Sequence, residues 1–354
     1  MITAFFALLL PAPPQAPFEL MEGDRVVFVG NTFVERDLAH NYLEAALTAR
    51  FPERNVTFRN IGWSGDTVFG HARAGFGSAE DGFRYLGKHL AELKPTVVFL
   101  AYGLNESFEG ERGLPGFEKG LARLLETVAA LAPRATFLVS PIRHENLGPP
   151  LPDPAESNRN LRLYVDAMKK TAEARRLGFV DLFERLGAGS QEAPLTDNGI
   201  HLNARGYRRA ARTILEALGI RPDAHEVTVQ GPGPITATLP AGESVLTLRG
   251  LKAGRYALKA GGLTLASASA EEWSRGVAVE PSEKLREAIA AKNFLYFNRW
   301  RPQNETYIFG FRKREQGHLA PEIPQFDPLV EAKEKEIAKL RVPQSQSFAL
   351  EAVK

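Results

Sequence analysis

The chain has 354 residues, a formal net charge of +2 and 24% charged residues, a balance that leaves no basic stripe for nucleic acid. It contains no cysteine, which excludes disulfides, thiolate catalysis and cysteine-based zinc sites. The length allows a full α/β core with a smaller second unit.

Residues 2–10 are almost wholly apolar and run into Pro11-Ala12-Pro13-Pro14-Gln15-Ala16. The run is too short to span a bilayer and reads as an export signal over residues 1–16, which predicts a periplasmic or extracellular protein. No later stretch reads as a membrane span. From about residue 23 to 222, strand-like and helix-like patterns alternate. Residues 25–29 form an apolar, β-branched strand broken by Gly30, and 34–50 follow as one helical pattern. Strands are then predicted at 55–61, 95–101, 135–140 and 179–182, and helices at 80–93, 117–131, 158–177 and 205–218. Regular βα alternation with fully apolar strands predicts a parallel sheet covered on both faces.

Gly231-Pro232-Gly233-Pro234 marks a turn or linker. Short alternating runs at 235–239, 245–248, 256–260 and 263–266, separated by glycine-bearing turns, predict a small antiparallel β unit over 225–280. Its plainest role is packing, because no aromatic platform appears in it. Residues 281–354 read as a helical extension, with a helix at 281–300, another from Asp327-Pro328 to about residue 340, and a tail. The segment 299–312, dense in arginines and aromatics, is expected to pack back near the first domain's cleft.

Four short stretches fall at strand ends or before the last helix of the first domain. They are Val29-Gly30-Asn31-Thr32-Phe33, Asn60-Ile61-Gly62-Trp63-Ser64-Gly65-Asp66-Thr67, Tyr102-Gly103-Leu104-Asn105-Glu106 and Asp197-Asn198-Gly199-Ile200-His201. In an open α/β sheet, ligands bind at the carboxyl ends of the strands, so one site could gather all four. In this order and spacing they resemble the blocks of the SGNH (GDSL-like) esterase and acylhydrolase family, from about Asp24 to Leu218. The resemblance implies a three-layer α/β/α flavodoxin-like sandwich and ester hydrolysis without metal or organic cofactor. The tail with Glu315-Gln316-Gly317 also resembles the extension of some exported bacterial members.

Carried over residue by residue, the resemblance makes Thr32 the nucleophile and His201 the base. The backbone N–H groups of Thr32 and Gly65 and the side-chain amide of Asn105 become the oxyanion donors. Threonine stands where the family usually has serine, which keeps the hydroxyl but stiffens χ1. Asn31 replaces the aspartate usual beside the nucleophile. Asn198 replaces the aspartate that orients the histidine, with Asp197 one residue earlier as a substitute; an amide cannot stabilise imidazolium by charge. Arg143 and His144, after a strand end, are candidates for the substrate pocket. His144-Glu145 lacks the second histidine of a zinc-protease motif, since position 148 is Gly. Two readings follow: a hydrolase of small-molecule or carbohydrate esters that requires both Thr32 and His201, or a binding protein for acyl or sugar groups that requires neither.

Overall fold

The computed structural model describes residues 17–187, 193–280, 282–302, 308 and 320–353. Residues 1–16, where the sequence predicts an export signal, and most of the arginine- and aromatic-rich segment after Pro302 lie outside the described residues.

Five parallel strands form the first sheet: β1 (Arg25–Gly30), β2 (Thr57–Asn60), β3 (Val97–Ala101), β4 (Ala135–Val139) and β5 (Gly178–Val180), in the order β2-β1-β3-β4-β5. Alternation within each strand explains why both faces are covered. Val26 and Phe28 of β1 and Phe99 of β3 enter one core, while Val27, Val29, Val98 and Leu100 enter the other. The first core is closed by α2 (Tyr42–Arg50) and α7 (Ala204–Ala217). The second is closed by α3 (Ala79–Leu93), α4 (Leu114–Ala129) and α5 (Ala155–Arg175). This is the α/β/α sandwich expected from the sequence.

The single helix expected over 34–50 is broken. Helix α1 (Thr32–Arg36) passes into a 3₁₀ turn (Asp37–Ala39), and Asn41 at φ 57° restarts the chain as α2. The apolar period continues across the break, so pattern alone does not reveal it. The turn at Asn41 lets its side chain accept a bond from Asn293 Nδ2 at 2.8 Å, a partner far along the sequence.

The second half contains two sheets over one core. One has the order β10-β9-β12-β7, from β7 (Gly233–Leu239), β9 (Arg255–Ala260), β10 (Leu263–Ser269) and β12 (Gln344–Val353). The other has the order β11-β8-β6, from β6 (Ala224–Thr228), β8 (Ser244–Arg249) and β11 (Val277–Val279). Between β10 and β11 lies the short helix α8 (Ala270–Arg275), which buries Trp273 completely.

Two expectations need correction. Strands β6 and β8 pair in parallel, so the unit is not purely antiparallel. The expected C-terminal tail is β12, inserted between β7 and β9 with Phe348 and Leu350 in the core. After the all-polar run 344–347, Phe348 and Leu350 alternate with the exposed Ala349 and Glu351, which suits a strand with one wet face, but its partners lie about a hundred residues earlier, beyond the reach of a local pattern.

Helices α9 (Lys284–Trp300) and α10 (Phe326–Leu340) bridge the two halves. Lys292 of α9 is buried, donates to Glu44 Oε1 at 2.5 Å and to the Phe58 carbonyl at 3.1 Å. Asn293 reaches Glu44 Oε2 at 2.9 Å. Arg59 of β2 pairs with Glu334 of α10 at 2.6 Å. Among the described residues, no helix is long and apolar enough to cross a membrane.

Candidate active site

The strand order places the carboxyl ends of β1, β2 and β3 side by side, with Gly30 opposite Ala101 and Phe28 opposite Asn60. Successive connections leave β1 in opposite directions, which makes this edge a switch point. A Cβ on Gly30 would lie 2.4 Å from the Ala101 carbonyl oxygen, so only glycine lets β1 and β3 stay this close. Thr32 is therefore delivered at the first turn of α1, behind its N-cap Asn31, whose Oδ1 accepts the Phe33 N–H at 3.2 Å.

The Gly65 N–H donates to Thr32 Oγ1 at 3.2 Å. Gly65 is exposed, as is Ser64, and a Cβ added to it would meet nothing within 4 Å, so its φ of +79°, not crowding, is what favours glycine there. The Asn105 side chain donates to the Asp66 carbonyl at 2.7 Å, which brings the third block onto the second.

Two buried carboxylates hold these loops, and neither was assigned a role from sequence. Asp66 Oδ2 accepts from Arg73 Nε at 2.6 Å and from the Tyr102 hydroxyl at 3.1 Å, with both members of the ion pair fully buried. Glu106 accepts the Val68 N–H at 2.8 Å and the Gly103 N–H at 2.9 Å. Burial pushes its carboxyl up to about 7, against the pull of those two bonds. Both carboxylates stand inside the quoted blocks, but their partners are loop backbone groups, the Tyr102 hydroxyl and Arg73 seven residues on, pairings that a motif does not reveal.

A third brace comes from the C-terminal half. Glu35 accepts the Ser64 N–H and, at 3.1 Å, a bond from Arg301 Nη1. The Arg301 guanidinium lies 3.7 Å from the Trp63 ring centroid. Arg301 thus closes a path from the end of α9 through Glu35 to the loop carrying Gly65.

His201 sits on the loop before α7. Asn198 Oδ1 accepts the N–H groups of Ile200 at 3.3 Å and His201 at 3.0 Å, which fixes the amide orientation and turns its nitrogen to His201 Nδ1 at 3.1 Å. An amide nitrogen only donates, so Nδ1 accepts and the neutral ring carries its proton on Nε2. Asp197 is engaged elsewhere, pairing with Arg36 of α1 at 2.9 Å. The structure therefore gives the ring to Asn198 and ties Asp197 to the helix that Thr32 begins. Burial lowers the His201 pKa, Arg36 lowers it further, and Asp197 partly opposes them. Asn31, Phe33 and His201 line one hollow of about 20 Å³.

Glu145 clamps the histidine loop, accepting the N–H groups of Leu195 and Thr196 and the Thr196 hydroxyl at 2.6–3.1 Å. His144 is buried, its backbone tied to Asn158 by two bonds. Burial, with His201 adding to it, lowers its ring to about 4. Arg143 lies 4.4 Å from the Phe183 ring and pairs with Glu184 at 3.5 Å, both on α6 (Leu182–Arg185).

The parallel α/β sandwich thus carries Thr32, Gly65, Asn105 and His201 on the loops at its carboxyl edge. The chain matches the GDSL-like Lipase/Acylhydrolase family over residues 23–209 and belongs to it. Among solved structures it is similar to a gut microbial diltiazem-metabolizing enzyme, at 16% identity and TM-score 0.62, over 97% of this chain and 100% of that one. That likeness of fold extends over the second half as well. It is also similar to an acetyl xylan esterase from Geobacillus stearothermophilus, at 20% identity and TM-score 0.46, over 58% of this chain and 98% of that one. A GDSL-like lipase from Bacteroides thetaiotaomicron matches at 20% identity and TM-score 0.41, over 55% of this chain and 88% of that one. No curated protein matches.

Proposed function

We propose that the chain is a slow ester hydrolase in which Thr32 attacks the acyl carbon and His201 receives its proton. The observation that carries this reading is the Gly65 N–H at 3.2 Å from Thr32 Oγ1, where a donor must stand to meet the oxyanion of an acyl group attacked by that oxygen. The Thr32 N–H and the second amide hydrogen of Asn105 complete the oxyanion hole. The ester C–O bond then breaks, the alcohol leaves with the proton that His201 took from Thr32, and the acyl-enzyme on Thr32 is released as the acid by water that gives its proton to the freed His201. No step requires a metal or organic cofactor.

The reaction is slow because the Asn198 amide holds the resting histidine in the Nε2–H tautomer. Proton transfer from Thr32 to Nε2 needs the other tautomer; in serine proteases, the same replacement of carboxylate by amide costs about 10⁴ in rate. That amide also supports the second reading, an acyl- or sugar-binding protein without turnover. Small-molecule or carbohydrate esters are the substrate class, and export is part of the proposal on the strength of residues 2–10.

The test is hydrolysis of short-chain nitrophenyl esters and acetylated sugars by the parent protein, Thr32→Ala and His201→Ala. Loss in both variants supports the nucleophile and base. Unchanged turnover in Thr32→Ala ends the threonine-nucleophile proposal. A parent inactive on the whole panel favours the binding protein.

A further inference from the structure

Arg143 and Arg162 meet where the chain leaves β4 and β5, on the sheet edge that also carries Thr32. Asn158 of α5 holds the His144 backbone with two bonds, at 2.8 and 2.9 Å, and Arg162 stands one helical turn further along the same face. Arg143, the residue before His144, is held beside it. Both guanidiniums lie against the Phe183 ring, 4.4 and 4.6 Å from its centroid, which limits their freedom. Both also reach the same oxygen, Glu184 Oε1, Arg143 at 3.5 Å.

Among the described residues, the two arginines have this one carboxylate between them, so the pair keeps a net positive charge. Arg143 is the less satisfied of the two. Its Nε is buried without a hydrogen-bond partner, and its contact with Glu184 is longer than the 2.7–2.9 Å or so of a charge-assisted bond. The positive field reaches Asp181 as well: burial raises that carboxyl, and Arg162, Lys169, Arg185 and Arg143 oppose the rise. The Glu184 side chain is 46% exposed, so it can swing into water at little cost. A second carboxylate then meets both guanidiniums, whose planar forks match its two oxygens. We infer that Arg143 and Arg162 form a subsite for a carboxylate of the substrate, which Glu184 occupies at rest.

The sheet order gives the subsite a use. Strands β4 and β5 stand two and three places from β1, which puts the arginines about 10–14 Å along the edge from the strand that delivers Thr32. A carboxylate bound there belongs to the alcohol part of the ester, some bonds removed from the acyl group. The substrate class narrows to esters of acidic alcohols. In this respect the inference rests on the hydrolase reading; carboxylate binding itself does not.

The experiment is calorimetric titration of the Thr32→Ala protein, at low ionic strength, with suberate, citrate and trigalacturonate, and with galactotriose and inorganic sulfate as controls. The titrations are repeated with Arg162→Gln, Glu184→Gln or Lys335→Gln added. Lys335 is exposed on α10, which pairs with β2 at the opposite edge of the sheet, so its loss removes the same charge elsewhere. At least one carboxylate should bind more tightly than both controls. Arg162→Gln should weaken it by about tenfold or more, Glu184→Gln should tighten it several-fold, and Lys335→Gln should leave it unchanged. With Thr32 restored, the ratio of kcat/KM for acetylated trigalacturonate to that for acetylated galactotriose should fall by about tenfold in Arg162→Gln. The inference is overturned by absence of binding to every carboxylate, by an equal loss in Lys335→Gln, by weaker binding in Glu184→Gln, by a preference for sulfate, or by an unchanged ratio. If the parent is inactive on both esters while the titrations succeed, the hydrolase reading fails and the carboxylate site stands.

Discussion

The side-chain nitrogen of Asn198 stands 3.1 Å from His201 Nδ1, and the amide cannot turn over without giving up two backbone bonds to its oxygen. A carboxylate here would keep both of those bonds and accept a hydrogen bond from Nδ1–H instead, which leaves Nε2 free to take the Thr32 proton. Asn198→Asp should therefore raise kcat/KM on nitrophenyl acetate, by tenfold at least and by up to about 10⁴. The sign of its pH effect is also fixed. Burial and Arg36 now hold the His201 pKa below its usual value; an added negative charge raises it, so the acid limb of the rate profile should move to higher pH. Unchanged rate and profile would remove His201 from the mechanism.

Thr32→Ser keeps the hydroxyl that meets the Gly65 N–H and removes the methyl that restricts χ1 and crowds the line of attack. Turnover of nitrophenyl acetate should rise several-fold with little change in KM. A serine variant slower than the parent would mean that the methyl helps to position the hydroxyl.

Arg301 belongs to the second half of the chain but acts on the site through Glu35, which also accepts the Ser64 N–H. Charge-assisted bonds of this kind are worth about 1.5–3 kcal/mol. Arg301→Ala should lower kcat by about tenfold, with KM for a small ester nearly constant, because the loop that presents the Gly65 donor loses its brace. Arg301→Lys should restore only part of the loss, since lysine lacks the planar stack on Trp63. An equal fall in kcat in both variants, with a matching loss of thermal stability, would reduce Arg301 to a packing role.

Glu106 sets a pH dependence of stability. Its folded-state pKa is raised to about 7, above the unfolded value of 4.5. Its relative contribution is therefore fully present below about pH 4.5 and is lost as pH rises through about 7. The difference is on the order of 3 kcal/mol. Unfolding midpoints in urea for the parent and Glu106→Gln, followed from pH 5 to 8, should show a downward slope in the parent that is much weaker in the variant. Parallel curves would contradict the raised carboxyl.

The buried Lys292–Glu44 pair fastens α9 to α2. Lys292→Met leaves a buried, uncompensated carboxylate and should destabilise the fold by about 3–5 kcal/mol. Adding Glu44→Gln should recover most of that loss while keeping an oxygen for Asn293, whose Nδ2 reaches Glu44 Oε2. Additive losses in the double variant would show that the pair is not coupled.

The sequence by itself determined the first sheet and the places where chemistry could sit. Fully apolar β-branched runs such as Val26 to Val29 have one stable solution, a strand buried on both faces, and Gly30, Gly62 and Gly103 mark where strands or their loops end. The four blocks, read in order, singled out Thr32, Gly65, Asn105 and His201 as candidates through their resemblance to the family's blocks. Tertiary structure decided what those residues touch. Whether Asn198 or Asp197 faces the histidine depends on Arg36 reaching across from α1 to take the carboxylate, and on the loop amides that fix the Asn198 oxygen. Glu35, Glu106 and Arg301 became visible only when loops far apart in sequence were brought into hydrogen-bond distance. The same holds for β12, whose alternation is local but whose pairing with β7 and β9 is not. Periodicity records which side of an element is apolar; partner choice among polar groups is set by distances that exist only in the folded chain.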